Sequence, residues 1–266
     1  MTDIRLGIVS DVHSGSLYAP MPKRMLIVDD QTGDERIVTP SRLQTKLNAL
    51  WDAMCKNMGQ LDVCLVNGDS CDGVQRGNQG AETWTTNMDV QVDAAEALLK
   101  KIHTRHWRFT RGSGYHVGEN MPLDKVVAKR MGGTFGNDLI LDFKKQGVRL
   151  HAAHFIQSSK VWQYATTALA RDMLLLRLNK SKQKYGDIQW CVRSHTHSFV
   201  GAMYSHTTGF ITPAWQTRTP YAAKNGFITP PDIGWLVLTI QGDGRVTLDK
   251  DHIYNVGKPS KVVVEG

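Results

Sequence analysis

Short apolar runs alternate with amphipathic stretches along most of the chain. Ile4 to Ser10 is apolar and ends in a polar turn, which predicts a buried strand. Arg24 to Thr39 reads as a hairpin, with Gln31-Thr32-Gly33-Asp34 between two β-prone runs. Ser41 is placed to cap a helix, because Leu43, Leu47, Leu50, Trp51, Met54 and Met58 follow it at helical spacing. Leu61 to Val66 predicts a second buried strand. Gly73 to Asn87 is rich in Gly, Asn, Gln and Thr and predicts a long loop, a length usually kept for function. Helical spacing resumes over Asp89 to Arg105, and Trp107 to Thr110 predicts a third strand.

The second half holds a short helix opened by Pro122 and stopped at Gly132-Gly133, then strands at Leu139 to Phe143 and Val148 to Ala153. Ser158 or Ser159 is placed to cap a long helix through Val161, Ala165, Ala168, Leu169 and Leu176. Ile188 to Arg193 and Phe199 to Tyr204 flank a His-containing turn. Trp235 to Ile240 and Arg245 to Leu248 form a last hairpin through Gly242-Asp243-Gly244. Helices early and hairpins late predict a layered α/β sandwich, not a purely parallel sheet. No Pro/Gly/Ser linker divides residues 1–266, so the chain is expected to be a single domain, with loop insertions near 73–88 and 212–234.

Polar residues recur where these apolar runs end. The first runs into Asp11-Val12-His13 and the second into Gly68-Asp69-Ser70-Cys71-Asp72. The third runs into Arg111-Gly112-Ser113-Gly114-Tyr115-His116. Later runs end at His154 and at His195-Thr196-His197. In α/β folds, ligands bind at the carboxyl ends of strands, so all five segments could meet at one edge. Asp and His together suit borderline divalent metals such as Mn, Fe, Zn or Ni. Singly, each segment has a bland alternative: a chance D-x-H, a Gly-Asp turn, a hydrogen-bonded core histidine, an exposed His turn. Their order, each behind a strand, is what makes coincidence a poor explanation.

Composition adds less. The 266 residues are 41% hydrophobic and 21% charged, as for a soluble globular protein. No apolar run is long enough to cross a bilayer, and the chain enters a strand-like segment at once without a secretory leader pattern, so a cytoplasmic location is expected. Cys55, Cys64, Cys71 and Cys191 form no C-x-x-C pair and fit free, buried thiols in a reduced compartment. A net charge of +7 favours anionic substrates, nucleotides or nucleic acid among them, though a solvated basic surface accounts for much of it.

The five segments resemble the calcineurin-like metallophosphoesterase superfamily, whose pattern runs D-x-H, G-D-x-x-D, G-N-H-D/E, a lone H, then G-H-x-H. The resemblance spans Asp11 to His197, and the first two motifs match in full. The form Gly-Ser-Gly-Tyr-His-Val-Gly looks like phage- or prophage-encoded members. The resemblance implies a four-layer αββα sandwich of two mixed β-sheets flanked by helices. It implies two divalent metal ions, manganese foremost, and hydrolysis of phosphate esters by a metal-bridging hydroxide. Carried over by position, Asp11, His13, Asp69 and His197 would hold one ion. Asp69 would bridge to a second, ligated also by His154 and His195. Asp72 would support a ligand, and His116 would stabilise charge or protonate the leaving oxygen.

Two departures stand out. Tyr115-His116-Val117 occupies the place of N-H-D/E, so the amide expected at the second metal is a phenol. Ser194 replaces a Gly. His151 competes with His154 for the lone-His role; three residues apart on a strand, they face opposite ways, and His154 lies nearer the carboxyl end. Arg76, Trp84, Tyr115 and Arg218 are candidate substrate contacts, with Trp215, Tyr221 and Lys224 nearby; the aromatics could equally fill a core under long loops. The expected activity is that of a phosphodiesterase or nuclease. A phosphomonoesterase and a phosphoesterase fold kept as a protein-interaction module are the alternatives.

Overall fold

The computed structural model describes residues 2–28, 32–75, 77, 79–114, 122–157, 164–181, 185–224, 230–250 and 253–255. The first half runs β1 (Ile4–Val9), β2 (Met25–Val28), β3 (Glu35–Val38), α1 (Arg42–Met58), β4 (Leu61–Val66), α2 (Met88–Leu99), β5 (Thr104–Thr110) and α3 (Leu123–Arg130). Then come β6 (Thr134–Gly136), β7 (Asp138–Phe143), β8 (Val148–Ala153), α4 (Ala165–Ser181), β9 (Trp190–Arg193), β10 (Val200–Tyr204) and β11 (Thr207–Ile211). The chain ends through α5 (Pro220–Lys224), β12 (Asp232–Gly234), β13 (Leu236–Ile240), β14 (Val246–Asp249) and β15 (Ile253–Asn255).

Two mixed sheets carry the fold. The first has the order β14-β13-β1-β4-β5-β6, with β1, β4, β5 and β6 parallel and β13 antiparallel to β1. The second has the order β10-β11-β9-β8-β7, with β8, β9 and β11 parallel and both edge strands antiparallel. Alternation along each strand sends one set of side chains between the sheets. Leu6, Ile8, Leu65 and Leu238 of the first sheet meet Leu141, Leu150, Val192 and Phe210 of the second in one buried cluster. The opposite faces take the helices. Leu47 and Trp51 of α1, Leu98 of α2 and Val127 of α3 cover Cys64, Val66, Phe109 and Val237. Leu169, Met173 and Leu176 of α4 cover Cys191 and Ile211. The layers are therefore helix, sheet, sheet, helix.

Local signals account for the helix starts. Ser41 caps α1 in a reciprocal capping box with Gln44, and Asn87 caps α2 through the amides of Asp89 and Val90. The periodicity over Asp89 to Arg105 overshoots: α2 stops at Leu99, and Thr104 and Arg105 already belong to β5. Ile102 misleads because it is buried in the same core while lying in the connecting turn. Ser158, Ser159 and Val161 lie outside the described residues. Among the described residues, no helix is long and apolar enough to cross a membrane.

Candidate metal centre

The parallel strands β1, β4 and β5 of one sheet and β8 and β9 of the other end at the same edge of the sandwich. Backbone bonds carry the pairing past the strand ends. The amides of Asp11, His13 and Ser14 donate to the carbonyls of Gly68, Asp69 and Ser70, at 3.1, 2.9 and 3.0 Å. Ser194 N–H donates to His154 O, and Trp215 N–H to Asp11 O. Five of the converging side chains leave a left-handed backbone: Asp11, His13, Asp69, His195 and His197 have φ of 51°, 46°, 51°, 76° and 57°. Such φ values are uncommon for residues other than glycine, and strain of this kind gathers at functional sites.

Six side chains form two adjacent clusters. Asp11, His13 and His197 present ligand atoms within 4.8 Å of one another, and so do Asp69, His154 and His195. Asp11 Oδ1 has histidine nitrogens of both clusters near it: His197 Nε2 at 3.2 Å, His13 Nε2 at 3.9 Å and His154 Nε2 at 3.9 Å. His154 Nε2 is 3.0 Å from Asp69 Oδ2. Asp11, His13, Asp69 and His154 are buried, while His195 and His197 are partly open.

Hydrogen bonds behind the clusters fix which nitrogen faces inward. His13 Nδ1–H donates to Asp72 Oδ1 at 3.0 Å, and His154 Nδ1–H donates to the Asn67 carbonyl at 2.8 Å. Each leaves its Nε2 turned toward the carboxylates, the orientation that metal-binding histidines adopt. Asp11 Oδ1 and His154 Nε2 are buried and face other ligand atoms, His197 Nε2 and Asp69 Oδ2. Burying such atoms is costly unless a cation or proton compensates. Burial favours the protonated carboxyl of Asp11, but His197 and His154 outweigh it and hold its pKa below the usual carboxylate value. Burial likewise disfavours imidazolium at His154, yet Asp69 and Asp11 prevail and push its pKa up to about 10. His195 moves the other way, down to about 4, through burial and the nearby His154. Two buried carboxylates thus demand positive charge, and four inward imidazoles can complete its coordination. The donor set fits divalent cations that accept nitrogen and oxygen together.

Asp72 lies behind His13, where its Oδ1 also accepts Gln216 Nε2–H at 3.1 Å. His151 is turned away from the clusters, 2.9 Å from Asp138 Oδ2 and 3.2 Å from Arg193 Nη1. Trp84 does not reach the surface: it is 7% exposed and packs with Met21, Ile27 and Ala94 beneath the β2–β3 hairpin. Trp215 is equally internal, between Trp51 and Trp235. Burial removes Trp84 from the candidate substrate contacts, and both tryptophans take the other role open to them, the apolar floor beneath the long loops. Arg218 is exposed, and Tyr221 N–H donates to Glu82 Oε1, which joins the two insertion loops. Tyr115, His116 and Arg76 lie outside the described residues.

Several residues at the site escaped the sequence pattern. Asn67 donates through Nδ2 to Ala153 O and Ser194 Oγ and accepts from Thr110 Oγ1, tying four strand ends together. Ser113 contacts the Asp69 carboxylate through its amide and hydroxyl. Asp124 and Gln216 stand behind the ligand loops. Phe155 is 62% exposed, with its ring centroid 4.9 Å from that of His195. Only Asn67 carried a signal, as the polar residue that ends the β4 run.

The chain has a helix–sheet–sheet–helix sandwich with paired Asp/His clusters at one edge. No protein-family model matches it, and no curated protein does. Among solved structures it is similar to Vps29 from Cryptosporidium parvum, at 11% identity and TM-score 0.46, over 94% of this chain and 97% of that one. An archaeal phosphodiesterase is similar at 9% identity and TM-score 0.45, over 94% of this chain and 100% of that one. A predicted phosphoesterase from Streptococcus pneumoniae TIGR4 matches at 10% identity and TM-score 0.43, over 96% and 95%. These likenesses are loose, and the chemistry rests on the site's own geometry.

Proposed function

We propose that the chain is one metal-dependent phosphoesterase domain that hydrolyses phosphodiesters, nucleotides or nucleic acid among them. The observation that carries this reading is the pair of adjacent Asp/His clusters, with five of the six residues held in left-handed backbone. Asp11, His13 and His197 would hold one divalent cation and Asp69, His154 and His195 a second, with a carboxylate between them. Manganese is the first candidate, with iron, zinc and nickel as alternatives. Such ions stabilise charge developing on phosphoryl oxygens and lower the pKa of water.

The protein's own groups do the rest. Asp72 and the Asn67 carbonyl hold the Nδ1 protons of His13 and His154, so each ring offers its Nε2 inward. Asp11 and Asp69 neutralise cationic charge in a buried setting, which tightens cation binding as the dielectric falls. His116 is proposed to protonate the leaving oxygen, and Arg218, exposed on the second insertion loop, to fork onto a phosphate oxygen. The net charge of +7 suits a substrate with several phosphates.

The test is turnover of bis-p-nitrophenyl phosphate, p-nitrophenyl phosphate and single-stranded DNA by metal-stripped protein resupplied with Mn, Ni or Zn. Metal-dependent diester cleavage is expected. Faster monoester cleavage would make the protein a phosphomonoesterase, and metal uptake without turnover of any substrate would favour an interaction module.

A further inference from the structure

Asp124 is a buried carboxylate that offers no oxygen to either cluster. It lies in the first turn of α3, is 0% exposed, and has both oxygens occupied by backbone amides. Oδ1 accepts Ser70 N–H at 2.9 Å, and Oδ2 accepts Gly112 N–H at 2.8 Å. One of these amides follows Asp69 directly; the other precedes Ser113. Ser113 in turn brackets Asp69, with its amide 2.7 Å from Oδ1 and its hydroxyl 3.1 Å from Oδ2. The fit between the two turns is close. A Cβ on Gly112 would stand 2.1 Å from Asp69 Oδ1 and 2.4 Å from Asp69 N.

We propose that Asp124 is the positioning residue of the Asp69–His154–His195 cluster: it staples the β4 and β5 turns together so that Ser113 fixes the Asp69 carboxylate. A single carboxylate on two amides sets the distance between the turns, since its two oxygens are rigidly spaced. Hydrogen bonds from amides to a charged acceptor are short and strong. With Asp69 held at both oxygens, its rotation is blocked and Oδ2 stays turned toward His154 Nε2. Ser113 thereby supplies the polar group beside the Asp69 carboxylate. This inference rests on the metal-cluster reading above and extends it to residues that do not ligate.

Asp124→Asn keeps the shape but turns an NH2 group toward one of the two backbone donors. Calorimetric titration of Mn2+ into metal-free wild type, Asp124→Asn and Ser113→Ala measures the consequence, beside the thermal unfolding of each without metal. One binding step is expected to weaken about 10–100-fold in Asp124→Asn, as for outer residues that orient ligands. The other step is expected to hold, and Ser113→Ala to weaken the same step. A lowered unfolding temperature with both steps unchanged would make Asp124 merely structural and overturn the inference alone. Wild-type protein that takes up no Mn2+ overturns the metal-cluster reading and this inference with it. If Asp124→Asn gives no folded protein, Ser113→Ala decides, with an unchanged titration counting against the bracket.

Discussion

Asp72 and His13 form a fully buried pair, with Asp72 Oδ1 3.0 Å from His13 Nδ1. The pair spans the two turns that follow β1 and β4 and sets which imidazole nitrogen is free. Removing the carboxylate leaves the His13 ring free to rotate or to change tautomer. Asp72→Ala is expected to weaken metal binding about 10–100-fold while sparing the fold. Metal content after dialysis, set beside circular dichroism, checks this.

Asp69 tests the centre more directly. Its carboxylate lies 3.0 Å from His154 Nε2 and is held by Ser113. Asp69→Asn removes a buried negative charge without changing shape. Bound metal and diester turnover should both fall by orders of magnitude, and a rate near that of wild type would refute the assignment.

Gly68 probes the geometry without touching a ligand. Its φ is +83°, and an added Cβ would lie 2.5 Å from the His154 ring. Gly68→Ala therefore combines backbone strain with displacement of His154. A loss of about 1–3 kcal/mol of stability is expected from the strain, together with weaker metal binding. Chemical denaturation and metal titration read the two effects separately.

Phe155 is the exposed aromatic beside the clusters, and its ring lies against His195. A base of a nucleotide substrate could stack there, at about 1–3 kcal/mol per base, or about 5–150-fold in binding. Phe155→Ala should raise KM for nucleotide diesters and leave that for alkyl phosphodiesters unchanged. Equal effects on both classes would rule out stacking.

His151 gives a pH dependence separate from the site. Its ring meets Asp138, Arg193 and Tyr185, and Asp172 of α4 pairs with Arg193. Burial and Arg193 lower its pKa below the ordinary 6.5, against the pull of Asp138. At higher pH it is neutral in both folded and unfolded chains and costs nothing. As pH falls below that ordinary value, the unfolded chain takes up a proton that the folded chain resists, so stability declines. His151→Gln should flatten this decline between pH about 7 and about 5. Urea midpoints across that range measure it.

The amino-acid order alone determined the layered α/β class, the start of α1 at Ser41, the onset of α2 next to Asp89, and the polar segments at the strand ends. Those features are local: a cap needs one side chain and the next turn, and a buried strand needs only its apolar run. It also singled out the six Asp and His residues that meet, because each stands directly behind such a run. Strand β11 was invisible, since Thr207–Ile211 owes its place to parallel pairing with β9 and to Met173 and Leu169 packed closely over Gly209. Trp84 and Trp215 could not be sorted between surface and core, because a loop aromatic has no period that reveals its inner face. The direction of His151, the bracket of Ser113 and the staple of Asp124 depend on contacts between residues distant in sequence. Only the packing of the two sheets, which brings their strand ends to one edge, could decide those.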